Sequence, residues 1–236
     1  MQDRYAGDVG DFGKLALLRA LSPGRRLGVC WYRTDGAGEN NNDGRHLTYL
    51  DRPERFRALD PELFDGLRAF VDACHAARSL RSVAALETLG LLPTETRFHG
   101  ALCPRTLSAR RDWAAQMLTA MAQADFIFLD PDNGLQSAAL GPKSAGIEEL
   151  QALRRAGRSL LLYHHQTRRA GGAPIEAAHI GRCLLDAGFE AVDAVRLRPY
   201  SSRFYFLIDG DDLLRARLKE FADRWGRRVQ HFPALG

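Results

Sequence analysis

From residue 125 onward the chain alternates short, almost wholly apolar runs with longer stretches of helical period, and this alternation constrains the fold more than any other feature. Asp125-Phe126-Ile127-Phe128-Leu129 and Ser159-Leu160-Leu161-Leu162-Tyr163 read as strands buried on both faces. A helix over 146–156 separates them, and a second helix over 174–187 ends at Gly188, a suitable C-terminal cap. Strands over 190–197 and 203–209 then flank Pro199-Tyr200-Ser201-Ser202 and read as an antiparallel hairpin, followed by a basic helix over 211–226. Upstream, the spacing predicts a helix over 11–21, capped by Asp11 and stopped at Ser22-Pro23-Gly24, and a buried strand over 26–33. It also predicts amphipathic helix over 60–90, with Leu80 on one apolar face, and a helix over 106–123 capped by Ser108. Strand–helix alternation favours a mostly parallel sheet with right-handed crossovers, here closed by an antiparallel hairpin. The expected architecture is one α/β domain over 1–236, with a helical insertion at about 45–95.

Composition narrows the class. The chain has 236 residues, 45% of them hydrophobic and 26% charged, which suits a folded domain with a sizeable core. No apolar run approaches the roughly 20 residues of a membrane span. The opening Met1-Gln2-Asp3-Arg4-Tyr5 lacks the apolar core of a signal peptide, so a cytoplasmic protein without membrane partners is expected. Cys30, Cys74, Cys103 and Cys183 are widely spaced and form no C-x-x-C pair, which predicts buried thiols rather than a zinc or redox motif. The net charge is +4 and arginine outnumbers lysine, a balance compatible with nucleic acid or a phosphorylated ligand as partner.

In parallel α/β sheets, ligands bind outside the carboxyl ends of the strands. Three predicted strands place polar residues there. Asp130-Pro131-Asp132-Asn133-Gly134 follows the first apolar strand. Carboxylates beside a buried strand are costly to desolvate without donors, metal or substrate, which marks Asp130, Asp132 and Asn133 as candidate catalytic residues. His164 and His165 end the next strand and are candidates for a general base, although alternation along a strand turns neighbouring side chains to opposite faces. Asp35-Gly36-Ala37-Gly38 follows the strand over 26–33, where glycines let backbone approach a ligand closely. Gly7-Asp8-Val9-Gly10-Asp11-Phe12-Gly13-Lys14 departs from a phosphate loop, because Asp8 replaces a required glycine, Leu15 replaces Ser or Thr, and no strand precedes it. Lys14 is instead expected to reach into the ligand site, and Arg168 and Arg203 are candidate phosphate contacts.

The segment Tyr5-Ala6-Gly7-Asp8-Val9-Gly10-Asp11-Phe12-Gly13-Lys14 resembles the opening of the bacterial large-subunit ribosomal RNA adenine-N6 methyltransferases, an Ala-Gly turn followed by a helix carrying a lysine. Thr34-Asp35-Gly36-Ala37-Gly38 looks similar to their loop for S-adenosylmethionine, residues 45–95 to their helical insertion, and Asp130-Pro131-Asp132-Asn133 to their Asp-Pro-Pro-Tyr motif. The strand over 159–163 and the hairpin over 190–209 match their later elements in order. The resemblance implies a Rossmann-like fold, S-adenosylmethionine as cofactor held by Lys14, Asp35, Gly36 and Gly38, and a nucleic acid or nucleotide substrate. The family's base-stacking aromatic residue is Asn133 here, and its second proline is Asp132.

Two other functions fit parts of the pattern. Asp130-x-Asp132 after an apolar strand resembles the haloacid-dehalogenase phosphatase motif, with Asp209-Gly210-Asp211-Asp212 as a later acidic group. That reading implies a divalent metal on Asp130 and Asp132 and a phosphoesterase or nuclease activity. Against it, Gly134 stands where that motif has Thr or Val. The third is a non-catalytic relative that binds nucleic acid through its arginines.

Overall fold

The structure, a computed structural model, describes residues 1–35, 46–136, 140–200 and 202–235. It is an α/β fold around a seven-stranded, mostly parallel sheet. In chain order the elements are α1 (Val9–Leu21), β1 (Leu27–Trp31), α2 (Pro53–Phe56), α3 (Pro61–Ala76), α4 (Val83–Glu87), β2 (Arg97–His99), α5 (Leu107–Ala120) and β3 (Phe126–Asp130). They continue with β4 (Gly134–Leu135), β5 (Ser144–Ala145), α6 (Ile147–Leu153), β6 (Ser159–His165), α7 (Gly172–Asp186), β7 (Val192–Leu197), β8 (Arg203–Ile208), α8 (Asp212–Trp225) and β9 (Val229–Phe232).

The sheet order is β2-β1-β3-β6-β8-β7-β9. β1 pairs in parallel with β2 and β3, and β3 with β6. β8 enters antiparallel between β6 and β7, and β9 is antiparallel to β7. The carboxyl ends of β1, β3 and β6 and the amino end of β8 therefore share one edge of the sheet. A separate two-stranded parallel sheet, β4-β5, secures the loop that leaves β3.

Alternation along the central strands splits the apolar side chains between two layers. Phe126, Phe128, Leu161, Tyr205 and Leu207 pack with α1, α3 and α8, whereas Ile127, Leu129, Leu160, Leu162 and Phe206 pack with α5, α6 and α7. Covered on both faces, β1 and β3 are buried at every position, which accounts for their unbroken apolar runs.

The local readings differ from the structure in instructive ways. Asp8, not Asp11, caps α1, because its carboxylate accepts from the amides of Gly10 and Asp11. Thr106 occupies the N-cap of α5 in place of Ser108, with no side-chain cap bond. The helical stretch over 60–90 is two helices, broken where Arg78 takes φ +51° and restarted by Ser82, whose hydroxyl accepts from Ala85. Leu80 lies in that break and is almost fully exposed rather than on a buried face. Residues 46–95 otherwise carry α2, α3 and α4. Cys30, Cys74 and Cys103 are buried and Cys183 is half-buried, all as free thiols. No helix among the described residues is long and apolar enough to cross a membrane.

Candidate functional site

A cleft of about 390 Å³ opens at the shared sheet edge. That volume lies within the range of small-molecule sites. Its floor comes from β3, β6 and β8, and its wall from the amino-terminal turn of α1. β3 contributes Asp130, and the turn beyond it contributes Asp132 and Asn133. β6 contributes Tyr163 and His165, which lie opposite Tyr205 and Arg203 of β8 in the antiparallel register.

The electrostatic centre is Lys14. Its ammonium is buried and lies 2.7 Å from Asp130 Oδ2 and 2.9 Å from Asp11 Oδ1, with the Trp31 ring 5.1 Å away. Burial alone pushes an ammonium toward neutrality, but Asp11 and Asp130 outweigh it and hold Lys14 well above the usual lysine range. Burial also raises the carboxyls of Asp11 and Asp130, with Lys14 pulling the other way. Two buried carboxyls thus share one cation. Asp11 is fixed in turn by the Gly7 amide, which donates to its Oδ2 at 3.0 Å.

Asp132 sits beside this centre. Its Oδ1 lies 2.6 Å from the α-ammonium of Met1, while its buried Oδ2 has no hydrogen-bond partner. The Tyr205 hydroxyl, also lining the cleft, is buried and unpartnered. Unpaired buried polar atoms that converge on a cleft are groups a polar ligand satisfies. The Asn133 amide donates to the Lys143 carbonyl at 2.8 Å, which ties the turn to the loop before β5. Arg110 anchors that loop. Its guanidinium makes a buried bidentate pair with Glu149, at 2.7 and 3.0 Å, and donates to the carbonyls of Gly141 and Ser144. Arg203 passes so close to the first turn of α1 that a Cβ at Gly10 would fall 3.1 Å from its guanidinium, so glycine makes room for the cation.

The two histidines part company. His165 lines the cleft, with its Nδ1 3.2 Å from the Tyr163 hydroxyl. His164 faces the opposite layer, where its Nδ1 accepts from the Leu135 amide at 3.2 Å and its Nε2 lies 3.4 Å from Glu176. Acceptance at Nδ1 assigns the proton of the neutral ring to Nε2. Burial pushes His164 below the usual histidine range despite Glu176. Gly134, at φ +94°, passes against this ring, and a Cβ there would lie 2.3 Å from its Nδ1. His164 thus holds β4 against β6 and does not face the cleft.

Of the residues expected at the site, Lys14, Asp130, Asp132, Asn133, His165 and Arg203 come together in the cleft. Asp35 lies away from its lining, with its side chain 58% exposed and 3.9 Å from Arg105. Gly36 and Gly38 lie outside the described residues. Arg168 is exposed beyond β6 and does not line the cleft. Asp130 and Asp132 turn to different cations, Lys14 and Met1, and among the described residues no group of three or more His, Cys, Asp or Glu is placed to hold a metal.

Sequence reasoning passed over Asp8, Asp11, Tyr163 and Tyr205 as site residues. Two periodicities carry the signal: Asp11 stands three residues before Lys14 on a helix, and Tyr163 two before His165 on a strand.

No protein-family model matches the chain, and no curated protein matches it.

Proposed function

We propose that the protein is an S-adenosylmethionine-dependent methyltransferase-like enzyme acting on nucleic acid or a nucleotide, with the cleft at the ends of β3 and β6 as its reaction site. The observation that carries this reading is the Lys14–Asp130 pair. It joins the lysine of the Ala-Gly-turn helix to the first residue of the Asp-Pro-Asp-Asn turn, the two motifs in which the chain resembles the ribosomal RNA adenine-N6 methyltransferases. The antiparallel strand β8, set between β6 and β7, agrees with the order of elements that the resemblance implies.

The described residues fit the charged end of such a cofactor. The unpartnered Asp132 Oδ2 and the Tyr205 hydroxyl suit an α-amine, and Arg203 suits a carboxylate. When bound, S-adenosylmethionine supplies a methyl group on a cationic sulfur. The chain's own contribution is positioning and charge. Lys14 holds the Asp130 side chain in one orientation, which directs its backbone and the following turn at the cleft. The Asn133 side-chain amide offers both a donor and an acceptor to an amine or base edge. The exposed His165 places an imidazole on the cleft wall, the side chain proposed as general base.

The test is thermal unfolding and calorimetry with S-adenosylmethionine and S-adenosylhomocysteine. A ligand at about 100 times its dissociation constant adds roughly 2.7 kcal/mol, a clear rise in melting temperature. The rise is expected with both compounds and is expected to shrink in Asp132→Ala. Transfer of labelled methyl to RNA or nucleotides is expected to fall by about 100-fold in Asn133→Ala, the scale of a lost positioning contact. Absence of any shift or heat with either compound overturns the reading.

A further inference from the structure

A second cavity, of about 480 Å³, lies where α2 meets the end of β7 and the start of β9. Five arginines line it: Arg52, Arg55, Arg198, Arg227 and Arg228. No acidic side chain lines it. Of these five arginines only Arg55 has a carboxylate of a described residue within 4 Å, that of the exposed Glu54 at 3.7 Å. The groove is built rather than incidental. Arg228 donates to the Arg55 carbonyl at 3.0 Å and lies 5.8 Å from the Phe56 ring, while Arg198 donates to Gln230 at 3.0 Å. The Arg198 amide also bonds to the Arg228 carbonyl at 3.0 Å, so the two walls are stitched together by backbone.

The groove gathers five of the chain's 33 basic residues, a number larger than the chain's net charge of +4. The chain has 33 basic and 29 acidic residues, and without these five arginines the balance is 28 to 29. Like charges gathered without counter-charges repel one another, and a bound polyanion relieves that repulsion while releasing its own counterions. The forked guanidinium suits phosphate oxygens in particular.

The groove adjoins the cleft. Tyr200 lines the groove and His46 lines the cleft, and their rings lie 5.2 Å apart between centroids. The Tyr200 hydroxyl is fixed 2.8 Å from Thr48, yet its residue remains 45% exposed. An exposed ring beside an arginine groove is a platform on which a base stacks. A free nucleotide occupies one cavity at a time, whereas a polymer occupies both.

We propose that this groove holds the phosphodiester backbone of a nucleic acid strand whose target nucleotide enters the cleft, with Tyr200 stacking a flanking base. The proposal builds on the reading of the cleft as the reaction site and narrows its substrate to a polymer.

The experiment is fluorescence anisotropy of the full-length protein with short labelled single-stranded RNA and DNA over a salt series, alongside anionic phospholipid vesicles. Arg52→Ala/Arg227→Ala is expected to weaken oligonucleotide binding about tenfold and to flatten the salt dependence of log affinity by about 1.4. A control pair with the same charge loss elsewhere, Arg111→Ala/Arg182→Ala, is expected to change neither appreciably. Tyr200→Ala is expected to weaken binding without changing the salt slope. Equal losses in the groove and control pairs, or vesicle binding in place of oligonucleotide binding, overturns the proposal. The thermal response to S-adenosylmethionine is read on the same variants. If it is absent from the start while the groove pair still loses oligonucleotide binding, the methyltransferase reading fails and the nucleic acid groove stands.

Discussion

At the scale of single residues, Lys14 governs the cleft. Removing one partner of a buried ionic cluster leaves uncompensated charge, and the penalty is commonly about 3–5 kcal/mol. Lys14→Met is therefore expected to destabilise the fold by that order in urea denaturation, because Asp11 and Asp130 would face one another without a cation. Lys14→Met/Asp130→Asn is expected to recover part of the loss. His164 gives a prediction with a definite sign. Its folded pKa lies below the ordinary 6.5, so the unfolded chain takes the proton first. The stability it contributes is complete above pH 6.5 and declines as the pH falls below that value. Stability measured at successive pH values is expected to fall less steeply on the acid side in His164→Gln than in the parent. The sequence made both histidines visible, and strand alternation implied that only one would face the site. It carried no indication of which one, since that depends on which face of β6 meets α1 and which meets α7.

At the scale of elements, the loop between β3 and α6 is shaped from beneath by a pair remote from the cleft. Arg110 on α5, fixed by Glu149 on α6, donates to the carbonyls of Gly141 and Ser144 on either side of Lys143, whose own carbonyl receives the Asn133 amide. Arg110→Ala is expected to cost about 3 kcal/mol or more, with Glu149 left buried and unpaired. Hydrogen exchange at the Asn133 amide is expected to accelerate in the same variant beyond what the global loss explains. The long central strands and the closing hairpin were legible in the sequence because a strand covered on both faces must be apolar throughout. The edge strands β2 and β9 were not, because Arg97-Phe98-His99 and Val229-Gln230-His231-Phe232 are short, partly exposed and mixed in polarity. Arg110 escaped for a related reason: a charged residue on an amphipathic helix reads as solvent-facing until a buried carboxylate on another helix is known to meet it.

At the scale of the whole molecule, several buried groups titrate in the same direction. Burial raises the phenols of Tyr32, Tyr49, Tyr163 and Tyr205 above their ordinary value of 10.0, and Lys14 lies well above its ordinary 10.5. Each group keeps its proton in the folded state after the unfolded chain has released it. Their stability contribution is therefore complete below pH 10 and is lost as the pH rises through the folded values. Denaturant midpoints are expected to fall as the pH is raised past 10, with a shallower fall in Tyr205→Phe. The distribution of charge was readable only in part. Net charge and the excess of arginine pointed to an anionic partner, but the groove joins positions 52–55, 198 and 227–228, which only the packing of α2 against β7 and β9 brings together.

The Lys14–Asp130 contact spans 116 positions, and the same small cleft draws on Asp8, on Asp132, on His165 and on Arg203. The part of the cleft that Arg203 and Tyr205 supply is absent until β8 has been made and has threaded between β6 and β7. Contacts of such long range form late, because the entropy of closing the loops must be met first. The cleft is thus a property of the finished molecule, complete only once the last central strand is in place.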